Sequence, residues 1–267
     1  MFDAFKGDPA VKIGVLLKQV PDTETVVKIA ADGRSLVQDG IKWVINPYDE
    51  IALEEALKLR ERLGGEVVIL TAGLRRAEDS MRQALAMGAD RGIRIDTDGV
   101  DADPFMTARM LSKVCEAERY DIIFAGRQAV DDGASQVHIG VAEMLGIPHC
   151  TLVEKFDISS DGKIVTLTRA AASGIKEIVD STLPLVVGCE KGLNNPRYAT
   201  LPGILKAKSK QIGVVSAVES AGDLAPRLIV KALRPPLERK AGRMIEGDAK
   251  RAAEELARLL HEEAKLI

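Results

Sequence analysis

Hydrophobic and polar positions along this chain follow two alternating patterns, and each change of pattern marks an element. Short apolar runs rich in β-branched residues recur at Val11–Lys18, Glu66–Thr71 and Ile122–Ala125, and Asp90–Ile95 adds a further strand. Such runs lack a polar face, which predicts parallel strands covered by helices on both sides. Between them the apolar residues return about every 3.6 positions, the spacing of one helix face. Tyr48–Leu63 sets Ile51, Leu53, Ala56, Leu57 and Leu59 among Glu54, Glu55, Lys58 and Arg60. Asn46 stands where a helix cap belongs, Pro47 takes the first helical position, and Gly64-Gly65 stops the helix. Further helices are predicted over Ala77–Met87, from Asp103-Pro104 to Val114, and from Ser135 to Leu145 before Gly146-Ile147-Pro148. The order is βαβαβαβα, an α/β fold with a doubly wound parallel sheet and right-handed crossovers.

Three stretches depart from that rhythm. Val26–Ala30 and Leu36–Val37 flank Ala31-Asp32-Gly33-Arg34, which predicts a hairpin outside the main sheet. After Pro148, Thr151–Phe156 and Lys163–Thr168 form a second hairpin around Ser159-Ser160-Asp161-Gly162, and Ile175–Val179 and Leu185–Cys189 add more strand. From Lys191 onward, five prolines and the basic run Lys206, Lys208, Lys210 break the periodicity. A stretch of roughly 50 such residues reads as a linker or an arm lying on another protein. Asp248–Leu266 returns to helix, with Ala252, Ala253, Leu256, Leu259 and Leu260 on one face suited to a partner. The expected division is an α/β domain over residues 1–190 and an arm with its helix over residues 191–267.

The chemistry concentrates in Asp121–Val137, DIIFAGRQAVDDGASQV. A strand ending at Gly126 and feeding a Ser-initiated helix leaves backbone N–H groups pointing out of the sheet's carboxyl edge, where a phosphate can bind. Asp131 and Asp132 are adjacent loop carboxylates expected to point apart, shaping the loop and touching the ligand. Leu16, Asn46–Asp49, Ala72 and Gly126–Val137 are all expected at that one edge, an arrangement for binding rather than for bond-making. No phosphate-loop, dinucleotide-fingerprint or nucleophile-elbow motif is present, and no histidine is paired with a nucleophile, so no catalytic residue is assigned.

Composition narrows the classes further. The chain has 267 residues, 46% hydrophobic and 29% charged, with a net charge of −3. Such a charge gives no footprint for nucleic acid or an anionic membrane. No apolar run is long enough to span a bilayer, and the N-terminal MFDAFKGDPA lacks the apolar core of a secretion signal. A soluble, intracellular protein is expected. Cys115, Cys150 and Cys189 are expected as buried thiols, and neither they nor His138, His149 and His261 make a spaced metal cluster.

Several blocks together carry a resemblance. Asn194-Asn195-Pro196-Arg197-Tyr198-Ala199-Thr200-Leu201-Pro202-Gly203-Ile204-Leu205-Lys206-Ala207-Lys208, preceded by Leu183-Pro184-Leu185-Val186-Val187, closely resembles the signature of the electron transfer flavoprotein β subunit. VLLKQV at Val15–Val20, INPYDEIALEEALKL at Ile45–Leu59, ALAMGADRGI at Ala84–Ile93 and GRQAVDD at Gly126–Asp132 agree in order and spacing.

The resemblance implies a Rossmann-like, adenine-nucleotide-binding sheet with an added β-hairpin region, an extended C-terminal arm and a helix packing on an α subunit that carries FAD. It implies AMP as a structural ligand of this subunit. The contact set carried over is Leu16, Asn46, Pro47, Tyr48, Asp49, Ala72, Gly126, Arg127, Gln128, Ala129, Val130, Asp131, Asp132, Gly133, Ala134, Ser135, Gln136 and Val137. Electrons would come from acyl-CoA dehydrogenases of fatty acid oxidation and leave to a quinone oxidoreductase, in the cytoplasm or, in a eukaryote, the mitochondrial matrix. Leu193, as a solvent-exposed anchor, and Glu177 are the implied docking residues. Two alternatives stay open: a bifurcating relative with a second FAD in this subunit oxidising NADH, and a stand-alone nucleotide-binding regulator.

Overall fold

The computed structural model describes residues 11–221, 225–236 and 242–266. Strand β1 (Lys12–Leu16) leads to a short antiparallel pair, β2 (Gln19–Pro21) and β3 (Trp43–Ile45). Then follow α1 (Pro47–Leu63), β4 (Glu66–Gly73), α2 (Ala77–Met87), β5 (Arg91–Asp96), α3 (Pro104–Glu118), β6 (Ile122–Gly126) and α4 (Val137–Leu145). The second half supplies β7 (His149–Ile158), β8 (Val165–Ala170), β9 (Lys176–Ser181), β10 (Leu185–Cys189), α5 (Leu201–Ala207), β11 (Ile212–Ser216), α6 (Ala217–Ala221) and α7 (Ala249–Glu262). The main sheet runs β11-β5-β4-β1-β6-β10-β7-β8-β9. It is parallel from β11 to β7 and antiparallel across β7, β8 and β9.

The unbroken apolar runs are the central strands, as their lack of a polar face requires. Every residue of β6 and β10 is buried. One core layer packs β1, β4, β6 and β10 against α1 and α2, and the other packs the opposite face against α3 and α4. Register aligns Leu16 with both Leu70 and Ala125, and Cys189 with Gly126. The carboxyl ends of the central strands therefore finish nearly level. Gly65 is needed where α1 turns into β4: its φ is +107°, and an added Cβ would stand 2.0 Å from the Val11 carbonyl oxygen.

The chain divides into two compact units. One holds the described residues up to Lys28 together with Val37–Lys231, and the other holds Ile29–Leu36 and the described residues from Ala232 onward. In the second unit, Ile29 and Leu36 form an antiparallel bridge at the expected Asp-Gly hairpin, and the Leu233 N–H donates to the Gly33 carbonyl. Its helix α7 is capped by Asp248, which accepts the Arg251 N–H at 2.9 Å, and leaves Leu256 exposed.

The structure corrects the reading of the segment that follows residue 190. Residues 191–231, expected outside the α/β unit, belong to it: β11 adds to the sheet in parallel beside β5, and α5 packs on α2. Lys206 and Lys208 of the basic run are exposed, but Lys210 ties the segment inward. Lys210 donates its ammonium to the carbonyls of Leu85 and Ala89 at the end of α2. Arg82 donates to the carbonyls of Ala207 and Lys210. Cations at a helix C-terminus satisfy carbonyls that the helix itself leaves unpaired.

Candidate functional site

From β1 the chain winds outward through β4 and β5, then returns to place β6 on the other side of β1. Connections leave β1 and β6 in opposite directions, and the crevice between them is where such sheets bind ligands. A cavity of about 360 Å³ lies there.

The first turn of α1 builds its floor. Asp49 is buried, and its Oδ2 accepts the Lys18 N–H at 2.7 Å while its Oδ1 accepts the Gly126 N–H at 3.0 Å. One carboxylate thus pins the ends of β1 and β6 together. Burial pushes its pKa up to about 7, against the opposing pull of those N–H donors. Gly126 is required at this contact, because an added Cβ would lie 2.4 Å from Asp49 Oδ1.

Asn46 occupies the cap position predicted for it, yet its side chain makes no cap bond. It reaches instead to the loop after β6: Nδ2 donates to the Gln128 carbonyl at 2.8 Å and Oδ1 accepts the Val130 N–H at 3.1 Å. Asp131 and Asp132, expected to point apart, converge on the Lys18 ammonium at 2.8 Å each. Burial works against the Lys18 charge, but the two carboxylates hold its pKa above the ordinary value.

The helix after this loop begins later than the sequence indicated. Ser135 has φ +55° and α4 starts at Val137, with Gln136 at the cap position and no side-chain cap. The Ser135 hydroxyl donates back within the loop, to Gln128 Oε1 at 3.2 Å. The first-turn N–H groups of α4 have no acceptor inside the helix. Val137 and His138, both on that turn, line the cavity and put the positive end of the helix dipole against it.

Of the expected contact residues, Leu16, Asn46, Asp49, Ala72, Gly126, Gln128, Ala129, Asp132, Ala134, Ser135, Gln136 and Val137 line the cavity. Pro47, Tyr48, Arg127, Val130, Asp131 and Gly133 do not line it. Arg127, for example, pairs with Glu190 at 2.6 Å and lies 5.2 Å over the Tyr48 ring. Sequence reasoning missed the opposite wall, where Thr97, Val100, Asp101, Ala102, Pro104 and Thr107 line the space from the loop after β5 and the start of α3. Lys18, expected at this edge as the end of the first apolar run, was given no part in the contact set, and His138 was missed. His138 is buried, and burial pushes its pKa down to about 4. Its ring fits because residue 188 is glycine: a Cβ there would approach Nε2 to 2.8 Å.

The implied docking residues lie elsewhere. Glu177 is on the edge strand β9, opposite Arg169 on β8 and ion-paired with it at 3.4 Å. Leu193 is half-buried against the core, which corrects the expectation of a projecting side chain. The cause is local. Asn194 donates to the Ile51 carbonyl and to Glu55, and Arg197 forks onto buried Glu54 at 2.8 and 3.0 Å, drawing the segment onto α1. Tyr198, Leu201 and Leu205 are the strongly exposed apolar residues of that block.

Cys115, Cys150 and Cys189 are buried free thiols, as expected. Among the described residues no cluster of His, Cys, Asp and Glu could hold a metal ion, and no helix is long and apolar enough to cross a membrane.

Fold and crevice together define a doubly wound α/β protein with a ligand cavity at its topological switch point. Residues 34–220 match the family model described as the electron transfer flavoprotein domain. The chain is 37% identical over 259 residues to the electron transfer flavoprotein subunit beta of Bacillus subtilis (strain 168), spanning 95% of this chain and 98% of that one. It is 38% identical to that of Thermoanaerobacterium thermosaccharolyticum over 94% and 98% of the two chains. With the Homo sapiens protein of the same name the identity is 36%, over 88% and 93%. The chain belongs to the electron transfer flavoprotein β-subunit family. It is therefore a subunit of a flavin-dependent electron carrier, with an α subunit as its partner.

Proposed function

We propose that this chain holds AMP as a structural ligand in the switch-point cavity while the C-terminal arm docks on the FAD-bearing α subunit. The cavity carries this reading. Its roughly 360 Å³ lies toward the small end of the range for ligand pockets. Its lining includes the apolar residues Leu16, Ala72, Val100, Ala102 and Leu111, suited to a purine. The lining also includes the first turn of α4 and residues of the loop before it, suited to one phosphate. FAD has more than twice the non-hydrogen atoms of AMP and fits this volume less well.

FAD bound on the α subunit supplies the redox chemistry. The residues of this chain bind and orient: Asp49 and Asn46 fix the loop that wraps the nucleotide, and Lys18 neutralises Asp131 and Asp132, whose charges would oppose a phosphate. Acyl-CoA dehydrogenases are the proposed electron donors and a quinone oxidoreductase the proposed acceptor. Mass spectrometry of nucleotides released from the denatured heterodimer tests the ligand. AMP and FAD in equal amounts are expected; a second FAD in place of AMP would establish the bifurcating alternative, and FAD alone would remove the nucleotide from this subunit.

A further inference from the structure

Asp103 ends the loop that follows β5 and starts α3. Its Oδ1 accepts the Met106 N–H at 2.8 Å, capping the helix, and its Oδ2 accepts the N–H groups of Arg227 at 2.7 Å and Leu228 at 2.8 Å. The carboxylate is buried and so is its bond to Met106, while the two bonds to the exposed residues Arg227 and Leu228 are partly buried. A second fastening sits beside it: the Arg227 guanidinium lies 3.6 Å from the centroid of the Phe105 ring. The strap these ties hold, Arg227–Lys231, is otherwise largely open, with Leu228, Ile229 and Val230 each more than half exposed. Past Lys231 the chain continues into the arm.

The neighbours of Asp103 on the same loop serve the cavity. Val100, Asp101, Ala102 and Pro104 line it, with Thr107 one turn into α3. A few residues of chain therefore carry the cavity wall on one side and the strap's anchor on the other. We propose that Asp103 is a positioning residue that couples occupancy of the cavity to placement of the strap from which the C-terminal arm departs. A ligand that orders the wall fixes the Asp103 carboxylate, and with it the two strap amides. Coupling of this kind is reciprocal: holding the strap must tighten ligand binding by the same factor. The inference rests on the nucleotide reading of the cavity, and the experiment separates the two.

Asp103→Asn is the informative change. Asparagine caps helices as well as aspartate does, so α3 keeps its bond to Met106 through the amide oxygen. The amide nitrogen then faces the Arg227 and Leu228 N–H groups, donor against donor, and the strap is released. Hydrogen exchange is measured on the full chain, wild type and variant, with and without added AMP. In the wild type AMP should slow exchange at Gln136–His138 and also at Arg227 and Leu228, which do not line the cavity. In Asp103→Asn the strap amides should exchange fast whether or not AMP is present, the α3 amides should be unchanged, and the AMP dissociation constant should rise about tenfold. Protection of Gln136–His138 with no ligand effect at Arg227 and Leu228 in the wild type would overturn the coupling and leave the nucleotide reading intact. Lack of protection at both places would overturn both.

Discussion

Asn46 is the sharpest test of how the cavity is held together. It is 1% exposed, and its amide spans from the start of α1 to the loop after β6, donating to the Gln128 carbonyl and accepting from the Val130 N–H. Asn46→Ala removes both bonds and leaves no group that can replace them from α1. Each is worth about 1 kcal/mol net, so the variant should lose about 2 kcal/mol of loop order. Were that cost met entirely on binding, AMP affinity would fall roughly 30-fold, since about 1.4 kcal/mol is a factor of ten. Asn46→Asp keeps the acceptor for Val130 but sets a carboxylate oxygen against the Gln128 carbonyl. It should therefore lose at least the Gln128 bond. Isothermal titration with AMP on the purified chain reads the affinity, and a thermal melt reads how much of the loss falls on global stability instead. If both variants bind AMP within about twofold of wild type and melt alongside it, well under the cost of one lost bond, the loop is not positioned by Asn46 and the account of the site fails.

Two further outcomes follow from buried charges. Arg197→Ala strips Glu54, which is 6% exposed, of its guanidinium partner. Breaking a fully buried pair costs about 3–5 kcal/mol, and partial exposure of Arg197 reduces that to roughly 2 kcal/mol. A melting temperature lower by about 4–8 °C is expected, with Arg197→Lys recovering part of the loss because an ammonium cannot fork; an unchanged melt would show the pair to be idle. Asp49 gives a pH dependence. Its folded pKa of about 7 lies above the ordinary carboxylate value, so the folded state binds this proton more tightly. The contribution is fully present below about pH 4 and is lost as pH rises through about 7. Melting temperatures of wild type and Asp49→Asn taken from about pH 5 to about pH 8 should therefore diverge, the wild type losing ground as pH rises; a constant difference would refute the shift.

What the chain disclosed in advance, and what it withheld, follows the range of the interactions involved. Strands such as β6 and β10 are buried on both faces, and an unbroken apolar run can mean little else, so the parallel sheet and its carboxyl edge were legible. Asn46 was legible by position but misread in role. Cap geometry is local, whereas its bonds to Gln128 and Val130 cross more than 80 residues of sequence. The segment after residue 190 failed for a related reason. Lys206, Lys208 and Lys210 look like solvated charge in a one-dimensional reading, because a lysine that caps a helix is recognisable only once the helix end is beside it. Lys206 and Lys208 are indeed exposed, but Lys210 has the carbonyls of Leu85 and Ala89 to bond, and β11 follows it into the sheet. The far cavity wall was hidden by topology rather than by chemistry. Thr97–Thr107 carries no ligand-binding motif, and it reaches the crevice because the crossover from β5 to β6 takes α3 across β4 and β1. The same crossover sets Asp103 between the cavity and the strap, so the residue that links them could be found only from the fold.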